Sequence, residues 1–336
     1  MEGLFDTIIF GIIINFILLL GYYFIAQKLK ILDKPNERSS HFSNTIRGAG
    51  IVLLFVNALL LYFSSKNNLS YTNILTALSI GIITGFIDDK FSLKPLLRAF
   101  LYAFSIIMVM RYFNNHYSFE SLYSTLIQLS VFVIFIGTVN TYNFMDGING
   151  ITLIYSILFL STCSYLVYIK DLELYSEIYL LFGLYTSFFI SFIFFNYRNK
   201  ALMFLGDSGS VAMGIMACFG VSLVSTIGFG WTAILLLGTY GVDSVGTIII
   251  RLINKENIFT AHKSHLYQDL VHYKKIGHLR VSLIYGFIQL LINISLIIAF
   301  NQNILTICSI LIIVLLAILY TLLKLNIRKG GLFVKR

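Results

Sequence analysis

The sequence predicts an all-α membrane protein, a bundle of about eleven transmembrane helices, and three observations support this. Of its 336 residues, 58% are hydrophobic and only 12% are charged, with a mean hydropathy of +0.86. Apolar stretches of roughly 17 to 25 residues, the length that crosses a bilayer as a helix, recur along the whole chain. Basic residues cluster in alternate gaps between these stretches. The composition excludes a water-soluble globular domain.

The apolar stretches form one predicted domain, residues 1–336. The first follows two acidic residues and is too long for the apolar part of a signal peptide, so we expect it to remain as the first helix. Two pairs of neighbouring spans are separated only by a short polar or glycine-rich break, so the count carries a margin of about one. The predicted spans are residues 7–27, 48–65, 71–87, 96–113, 120–139, 150–169, 176–195, 208–226, 229–250, 281–300 and 302–324.

The basic residues predict the orientation. With eleven spans, 21 of the 24 Lys and Arg residues fall in the loops of one side, and only Lys66, Arg111 and Lys170 fall on the other. Because cytoplasmic loops carry the excess of basic residues, the N-terminus is expected outside and the C-terminus in the cytoplasm. This asymmetry, with some attraction to anionic membrane lipids, accounts for the net charge of +9, which is therefore not a sign of nucleic-acid binding.

The three cysteines, Cys163, Cys218 and Cys308, lie inside apolar spans without motif spacing. We therefore expect buried thiols, with neither a disulfide nor a metal cluster.

Five polar segments interrupt the apolar pattern, and all lie at predicted cytoplasmic ends or loops. Helix ends on one side of a bundle lie near one another, so we expect these segments to converge on one face. They are KPNERSSH (34–41), IDDKFSLKPLLR (87–98), NTYNFMDGING (140–150), FLGDSGS (204–210) and AHKSHLYQDL (261–270).

The carboxylates in these segments have structural as well as functional interpretations. Asp88 and Asp89 end the third span, but adjacent acids at a membrane boundary repel each other and favour a metal or cationic neighbours. Asp207, before Ser and Gly, is as typical of a helix N-cap as of a catalytic acid. Asp243 lies inside the ninth span, where a structural or positioning role is favoured over chemistry, although an intramembrane acid suggests function by default.

The remaining segments are weaker indicators when taken alone. His262 and His265 lie in a basic loop that is typical of a solvated cytoplasmic loop as well as of phosphate or metal binding. Ser39, Ser40 and His41, after Pro35, are equally typical of an ordinary polar turn.

The segment NTYNFMDGING is the most unusual. Asn140, Asn143, Asp146 and Asn149 supply the oxygen ligands that Mg²⁺ prefers, and their spacing of three residues predicts that they share one helical face. Two glycines in the same segment permit a close backbone approach or a helix break.

Taken in order, DD, NxxNxxDGxxG, GDxGS and a late His-containing loop resemble the polyprenyl-phosphate N-acetylhexosamine-1-phosphate transferases. This family includes the phospho-MurNAc-pentapeptide translocase of peptidoglycan synthesis, and the resemblance covers nearly the whole chain. The wording PNERSSH, NIFTAH and HKSHLYQ looks closer to the branch that begins O-antigen or related glycans with 6-deoxy-N-acetylhexosamines.

The resemblance implies roles for matching residues. Asp88, Asp89 and Asp146 match catalytic acids, and Asn143 and Asp207 match the residues that hold Mg²⁺, or Mn²⁺ in its place. The positions expected to bind substrate are Asn140, Lys94, Arg98, His262, His265 and Arg47.

The chain departs from the family pattern at two places. Many bacterial members have DGIDG where this chain has DGING, so the catalytic charge at Asn149 is in doubt, although eukaryotic relatives also carry Asn there. Near the start, SNTIRGAG replaces xPTPRGGG and predicts a differently shaped loop around Arg47.

The implied reaction transfers a sugar 1-phosphate from a UDP-N-acetylhexosamine to undecaprenyl phosphate and releases UMP, in the bacterial cytoplasmic (inner) membrane with the site facing the cytoplasm. The expected partners are these two substrates and membrane lipids, not nucleic acid, and a homodimer is left open. The main alternative is a transporter of an anionic solute, which predicts internal repeats and polar helices at the bilayer midplane. A scaffold that has lost activity is a third interpretation.

Overall fold

The computed structural model describes residues 2–33, 44–67, 71–114, 122–258, 260 and 262–327. Within them lie twelve α-helices and two two-residue strands, β1 (Leu32–Asp33) and β2 (Thr45–Ile46), which pair antiparallel. The helices are α1 (Glu2–Lys28), α2 (Leu53–Asn67), α3 (Thr72–Phe91), α4 (Pro95–Asn114), α5 (Leu122–Met145), α6 (Ile151–Lys170), α7 (Leu172–Asn196), α8 (Gly206–Val224), α9 (Gly238–Ile253), α10 (Leu266–His272), α11 (His278–Asn301) and α12 (Leu305–Ile327).

The prediction of an all-α polytopic membrane protein is confirmed. Within the described residues each predicted span overlaps a helix, and eight helical stretches are long and apolar enough to cross a bilayer. The exact number of crossings and their orientation stay predictions. Of the five polar segments, the one at 34–41 lies outside the described residues.

The eighth and ninth predicted spans form one helical run, Gly206–Ile253, of 48 residues. A straight helix of that length would extend about 72 Å, more than twice the hydrocarbon thickness. The run is broken where Ile227 and Gly228 leave helical geometry, and Gly228 has φ +111°, which glycine adopts without strain. The break turns the chain back on itself, since α8 contacts the 3₁₀ segment Gly230–Leu237 that precedes α9.

Helix α8 lies at the centre of the bundle. It packs against α3, α4, α5 and α6, and nearly all of its residues are buried. Its many Gly, Ala and Ser residues let neighbouring helices approach closely, as is usual where membrane helices pack. Helices α1 and α12 are peripheral by contrast, with 22% and 17% of their apolar windows buried. The N-terminal end of α8 is thereby surrounded by the ends of other helices.

Buried polar side chains support a second irregularity, between Gly230–Leu237 and α9. Gln289 accepts hydrogen bonds from the backbone N–H of Thr239 and the Tyr155 hydroxyl, and donates to the carbonyl of Leu235 and to Asn293. Sequence analysis placed only Asp243 deep in the bundle, and the structure adds this network. The Gln289 network satisfies backbone groups that the break leaves without helical partners. These buried polar side chains therefore have a structural role.

Candidate functional site

A cluster of charged side chains forms where α3 ends and α8 begins. The segment around Arg47 joins them: Phe204 N–H donates to the carbonyl of Ile46 at 2.7 Å, and Gly50 N–H donates to the carbonyl of Leu205 at 3.0 Å. Three segments far apart in sequence thus meet. We call the resulting group the carboxylate cluster, and its members are Asp33, Arg47, Asp88, Asp89, Arg98, Asn143, Asp146 and Asp207.

Arg47 is the centre of the carboxylate cluster. Its Nε lies 2.6 Å from Asp89 Oδ1, one terminal nitrogen lies 2.9 Å from Asp207 Oδ1, and the other lies 3.7 Å from Asp33 Oδ1. Burial alone would lower the pKa of Arg47, but Asp89, Asp207 and Asp33 together raise it above its usual value. Arg47 is therefore a fixed positive charge at the site.

Asp89 connects α3 to the start of α8 in addition to pairing with Arg47. Its Oδ1 accepts a hydrogen bond from the backbone N–H of Asp207 at 3.0 Å, and its Oδ2 lies 3.5 Å from the backbone nitrogen of Ser208. A carboxylate from α3 therefore caps α8, since the first N–H groups of a helix lack partners of their own. Asp207 is not the N-cap; it lies in the first turn and faces Arg47.

Two glycines make this contact between helices possible. Gly206 has φ +76°, and a Cβ there would lie 2.3 Å from Asp89 Oδ2. A Cβ on Gly85 of α3 would lie 2.4 Å from the carbonyl oxygen of Asp207. Side chains at either position would push α3 away from α8 and separate the acids.

Asp88 points to the other side of the cluster. Its Oδ2 lies 2.8 Å from Arg98 of α4, and its Oδ1 accepts a hydrogen bond from the backbone N–H of Leu93 at 2.7 Å. The Asp88 carboxylate also lies close to that of Asp207. Two carboxylates in contact repel each other unless a proton or a cation lies between them.

The end of α5 contributes the amide and the remaining acid. Asn143 Nδ2 lies 3.2 Å from the Ser210 hydroxyl, and its side chain also contacts Asp207. Burial raises the pKa of Asp146 to about 7, although the side chain of Thr152 opposes the shift with a hydrogen bond. The Asp146 carboxyl is therefore protonated more readily than one in water.

The expectation that Asn140, Asn143, Asp146 and Asn149 share one helical face is wrong. Helix α5 ends at Met145, so Asp146 and Asn149 lie in the turn that follows. Asn149 Nδ2 donates to the carbonyls of Arg198 at 2.7 Å and Asn199 at 3.4 Å. A carboxylate has no proton to donate to these carbonyls, so the Asn that replaces an acid is explained by its structural contacts.

A second group, here called the histidine loop, spans residues 262–272 and includes α10. Tyr267 attaches it to the end of α5, since its hydroxyl donates to the carbonyl of Phe144 at 2.9 Å. His262 and His265 lie with ring centroids 4.9 Å apart and 6.4 and 6.2 Å from the Phe144 ring. Both histidines thus lie beside the segment that carries Asn143 and Asp146.

Asp243 of α9 and Lys324 of α12 anchor the histidine loop to these two helices. Asp243, 0% exposed, accepts hydrogen bonds from the backbone N–H groups of Leu266 at 2.7 Å and Tyr267 at 3.1 Å. Lys324 of α12 pairs with Asp269 at 2.7 Å and donates to the carbonyl of Ser264. These contacts give Asp243 a structural role, in line with the structural or positioning role that the sequence favoured over chemistry.

Two predicted substrate-binding residues lie at the margin. Asn140 is one turn further into α5, where its amide donates to the carbonyl of Ile136 at 2.9 Å. Lys94 is exposed just before α4. Sequence reasoning also missed contributors. Asp33 and Lys324 carry no motif that singles them out, and Ser210 and Tyr267 lie within quoted motifs but were not assigned a role.

The oxygen ligands of the carboxylate cluster fit Mg²⁺. Asp88, Asp207 and Asn143 offer two carboxylates in repulsive contact and an amide, and a cation between the carboxylates relieves the repulsion. Within the described residues no three His, Cys, Asp or Glu side chains form a metal-binding group. Mg²⁺ does not require one, since it is usually held by one or two carboxylates, water and substrate phosphates.

Fold and site together define a polytopic helical membrane protein with an acid-rich site at one end of the bundle. Residues 71–226 match the profile of Glycosyl transferase family 4, a range that includes Asp88, Asp89, Asn143, Asp146 and Asp207. This match confirms the resemblance to this family over residues 71–226.

Curated relatives match over most of the chain. The probable undecaprenyl-phosphate N-acetylglucosaminyl 1-phosphate transferase of Bacillus subtilis is 26% identical, over 79% of this chain and 76% of that protein. The undecaprenyl-phosphate alpha-N-acetylglucosaminyl 1-phosphate transferase of Thermotoga maritima is 27% identical, over 84% and 86%. The phospho-N-acetylmuramoyl-pentapeptide-transferase of Dictyoglomus turgidum is 28% identical, over 59% and 67%.

Proposed function

We propose that this protein transfers a sugar 1-phosphate from a UDP-N-acetylhexosamine to undecaprenyl phosphate, releasing UMP, at the cytoplasmic face of the bacterial inner membrane. The observation that carries the proposal is that Asp88, Asp89, Asn143 and Asp207 come together with Arg47 and Arg98 at one end of a membrane bundle. The names of the relatives support the donor and the lipid acceptor. A 6-deoxy sugar and an O-antigen-type glycan are the narrower parts of the proposal.

The position of the site suits an acceptor anchored in the membrane. The polyprenyl tail stays among the lipids while its phosphate reaches the end of the bundle where α3 stops and α8 starts. Both substrates are anions, so their approach requires positive charge close to the reacting atoms. Arg47 and Arg98 provide fixed charge, and the exposed Lys94 would add positive charge near them.

In the proposed step, an oxygen of the lipid phosphate attacks the β-phosphorus of the UDP-sugar. A new P–O bond forms, the bond from the β-phosphorus to the bridging oxygen breaks, and its electron pair leaves with UMP. A phosphate monoester has a second pKa of about 6, so the acceptor is mostly a dianion at neutral pH. Asp88 would take any remaining proton, and Asp89 would keep α8 and Arg47 in position.

Asn143 and Asp207 would hold Mg²⁺, with Asp88 beside them, and Mn²⁺ is expected to replace it. When bound, the ion supplies positive charge that neutralises diphosphate oxygens as the leaving group forms. The turn at Asp146 and the histidine loop lie next to the carboxylate cluster on the α5 side, and the sugar and uridine parts of the donor would bind against them. Tyr267 connects the histidine loop to the end of α5 through its hydrogen bond to the carbonyl of Phe144.

The test is lipid-dependent release of UMP by the purified protein. The assay contains undecaprenyl phosphate, Mg²⁺ and one of a panel of UDP-N-acetylhexosamines that includes 6-deoxy forms, and Asp207→Ala is the inactive control. Release that requires the lipid and is lost in the control supports the reaction and identifies the sugar. No release with any donor, from protein shown to be folded, would contradict it and favour the transporter or scaffold interpretation.

A further inference from the structure

The histidine loop contains an unpartnered group. The His265 side chain is only 4% exposed, and neither of its ring nitrogens has a protein hydrogen bond of good geometry. A buried polar atom without a partner is costly and calls for an explanation such as a ligand that completes it.

One of the two ring nitrogens has a nearby acceptor. Nδ1 of His265 lies 3.4 Å from Oδ1 of Asp243, so a small rotation of the ring completes a hydrogen bond. The same carboxylate is held in place by Leu266 N–H at 2.7 Å, Tyr267 N–H at 3.1 Å and the Tyr285 hydroxyl at 2.6 Å. Asp243 is therefore a rigid acceptor whose orientation does not depend on the histidine.

The other nitrogen, Nε2, has no neighbour of this kind. Around the ring lie Phe144, His262 and Tyr267, with centroids 4.9 to 6.2 Å away. Phe144 adjoins Asn143, so the ring lies beside the carboxylate cluster. The Tyr267 hydroxyl is engaged with the Phe144 carbonyl, and the His262 Nδ1 lies 2.8 Å from the Ser264 hydroxyl. Neither of these two atoms is available to Nε2.

We propose that Asp243 is a positioning residue: it holds the proton of His265 on Nδ1, so that Nε2 is directed to an oxygen-rich group of the bound UDP-sugar. A histidine whose second nitrogen is fixed by a carboxylate keeps one tautomer and one ring orientation. The intramembrane acid then links the fold of the loop to its chemistry, since one carboxylate both caps α10 and orients the histidine. This inference deepens the proposed function and relies on it only for the nature of the ligand.

The first test needs no activity. Protein labelled with ¹⁵N-histidine is purified in detergent, and NMR spectra report which ring nitrogen carries the proton; the His265 signals are identified by their loss in His265→Gln. The proposal predicts the proton on Nδ1 of the neutral ring. Tyr285→Phe, which removes one hydrogen bond to Asp243 but keeps its charge, should retain that tautomer. A proton found on Nε2 in the unaltered protein would overturn the proposal.

The second test is kinetic. Asp243→Asn should lower kcat/KM for the UDP-sugar by about 10-fold to 100-fold, as loss of the group that orients a functional histidine typically does. His265→Gln should lower it at least as much, and the double variant should be no worse than His265→Gln alone. If the two losses instead multiply, Asp243 acts only on the fold of α10, and the proposal is wrong. If Asp243→Asn fails to fold, the NMR measurement of the His265 tautomer tests the proposal by itself. That measurement can also be made if no UDP-sugar supports transfer.

Discussion

The two halves of the site are built differently. The carboxylate cluster has five acids, Asp33, Asp88, Asp89, Asp146 and Asp207, around two guanidinium groups, so the described residues leave it short of positive charge. In the histidine loop the main ion pair is balanced, Lys324 with Asp269, and both side chains are at most 1% exposed. The backbone of the loop is held by Asp243.

This difference indicates a division of labour. A site that leaves acids unbalanced is ready to accept a cation and then a polyanion, because binding relieves repulsion already present. A balanced, buried ion pair gains little from a ligand but fixes the geometry of the segment that carries it. We therefore expect changes in the carboxylate cluster to affect chemistry first, and changes under the histidine loop to affect stability and donor binding first.

The largest expected effect is at Asp207. Asp207→Asn keeps the shape of the side chain but removes the charge that faces Arg47 and Asp88. We expect kcat to fall about a thousandfold, since loss of one electrostatic contact in an active site costs about 10²–10³. Thermal unfolding should be little changed, because repulsion from Asp88 is also removed. If the variant retained a tenth of the activity, the reacting diphosphate would have to bind away from Asp207.

Arg47 tests whether geometry matters in addition to charge. Arg47→Lys retains one positive charge but cannot reach Asp89, Asp207 and Asp33 together. We expect transfer activity to fall by about two orders of magnitude, in line with the loss of one well-placed charged contact. Arg98→Lys is the matched control, because Arg98 contacts one carboxylate through one nitrogen. Arg98→Lys should lose clearly less transfer activity than Arg47→Lys. Equal losses of activity would mean that the contacts of Arg47 with several carboxylates are unimportant.

Lys324 tests the support under the histidine loop. Lys324→Met removes the cation that pairs with the buried Asp269, and removing one member of a buried pair costs roughly 3–5 kcal/mol. Thermal unfolding in detergent should shift to lower temperature, and KM for the UDP-sugar should rise more than kcat falls. The double variant Lys324→Met with Asp269→Leu should recover most of the stability. No recovery would mean that the Ser264 carbonyl contact, not the ion pair, anchors the loop.

Asn149 separates a structural amide from a missing catalytic acid. Asn149→Asp removes the donor to the carbonyls of Arg198 and Asn199, and we expect a loss of about 1–3 kcal/mol in unfolding free energy without a gain in activity. The comparison is with Asn149→Ala, which loses the same donor without adding charge. Activity above that of the unaltered protein would show that an acid is missing there.

The smallest effect concerns His262 and pH. Burial first, and then the neighbouring His265, Arg251 and Lys324, lower the pKa of His262 to about 3. A histidine with a lowered pKa is neutral at every pH above that value, so His262 carries no charge between pH 5.5 and 8.5. The pH profile of kcat/KM, which reports the free enzyme, should therefore have the same shape in His262→Gln. A change of shape near pH 6 would mean that His262 titrates normally.

The sequence predicted the carboxylate cluster better than the histidine loop for a physical reason. Asp88, Asp89, Asn143 and Asp207 stand out because a charged or amide group at a membrane boundary is costly and rarely accidental. The supports of the loop give no comparable signal. Lys324 resembles any basic residue at a cytoplasmic helix end, and its pairing with Asp269 depends on how α12 packs against α10. The two glycines left a helix break open, but the sequence did not place the break before Asp146, because a spacing of three residues continues to match helical periodicity beyond the last helical turn.

The division of labour is tested most directly by cation binding. Mn²⁺, which reports its own binding by electron paramagnetic resonance, is titrated into the purified protein with a UDP-sugar, and Asp207→Asn is compared with His265→Gln. The account predicts that Asp207→Asn loses the bound Mn²⁺, whereas His265→Gln keeps it once the sugar concentration is raised to saturate the weakened donor site. Equal Mn²⁺ binding by Asp207→Asn and the unaltered protein would contradict it, because the carboxylate cluster would then not be where the cation is held.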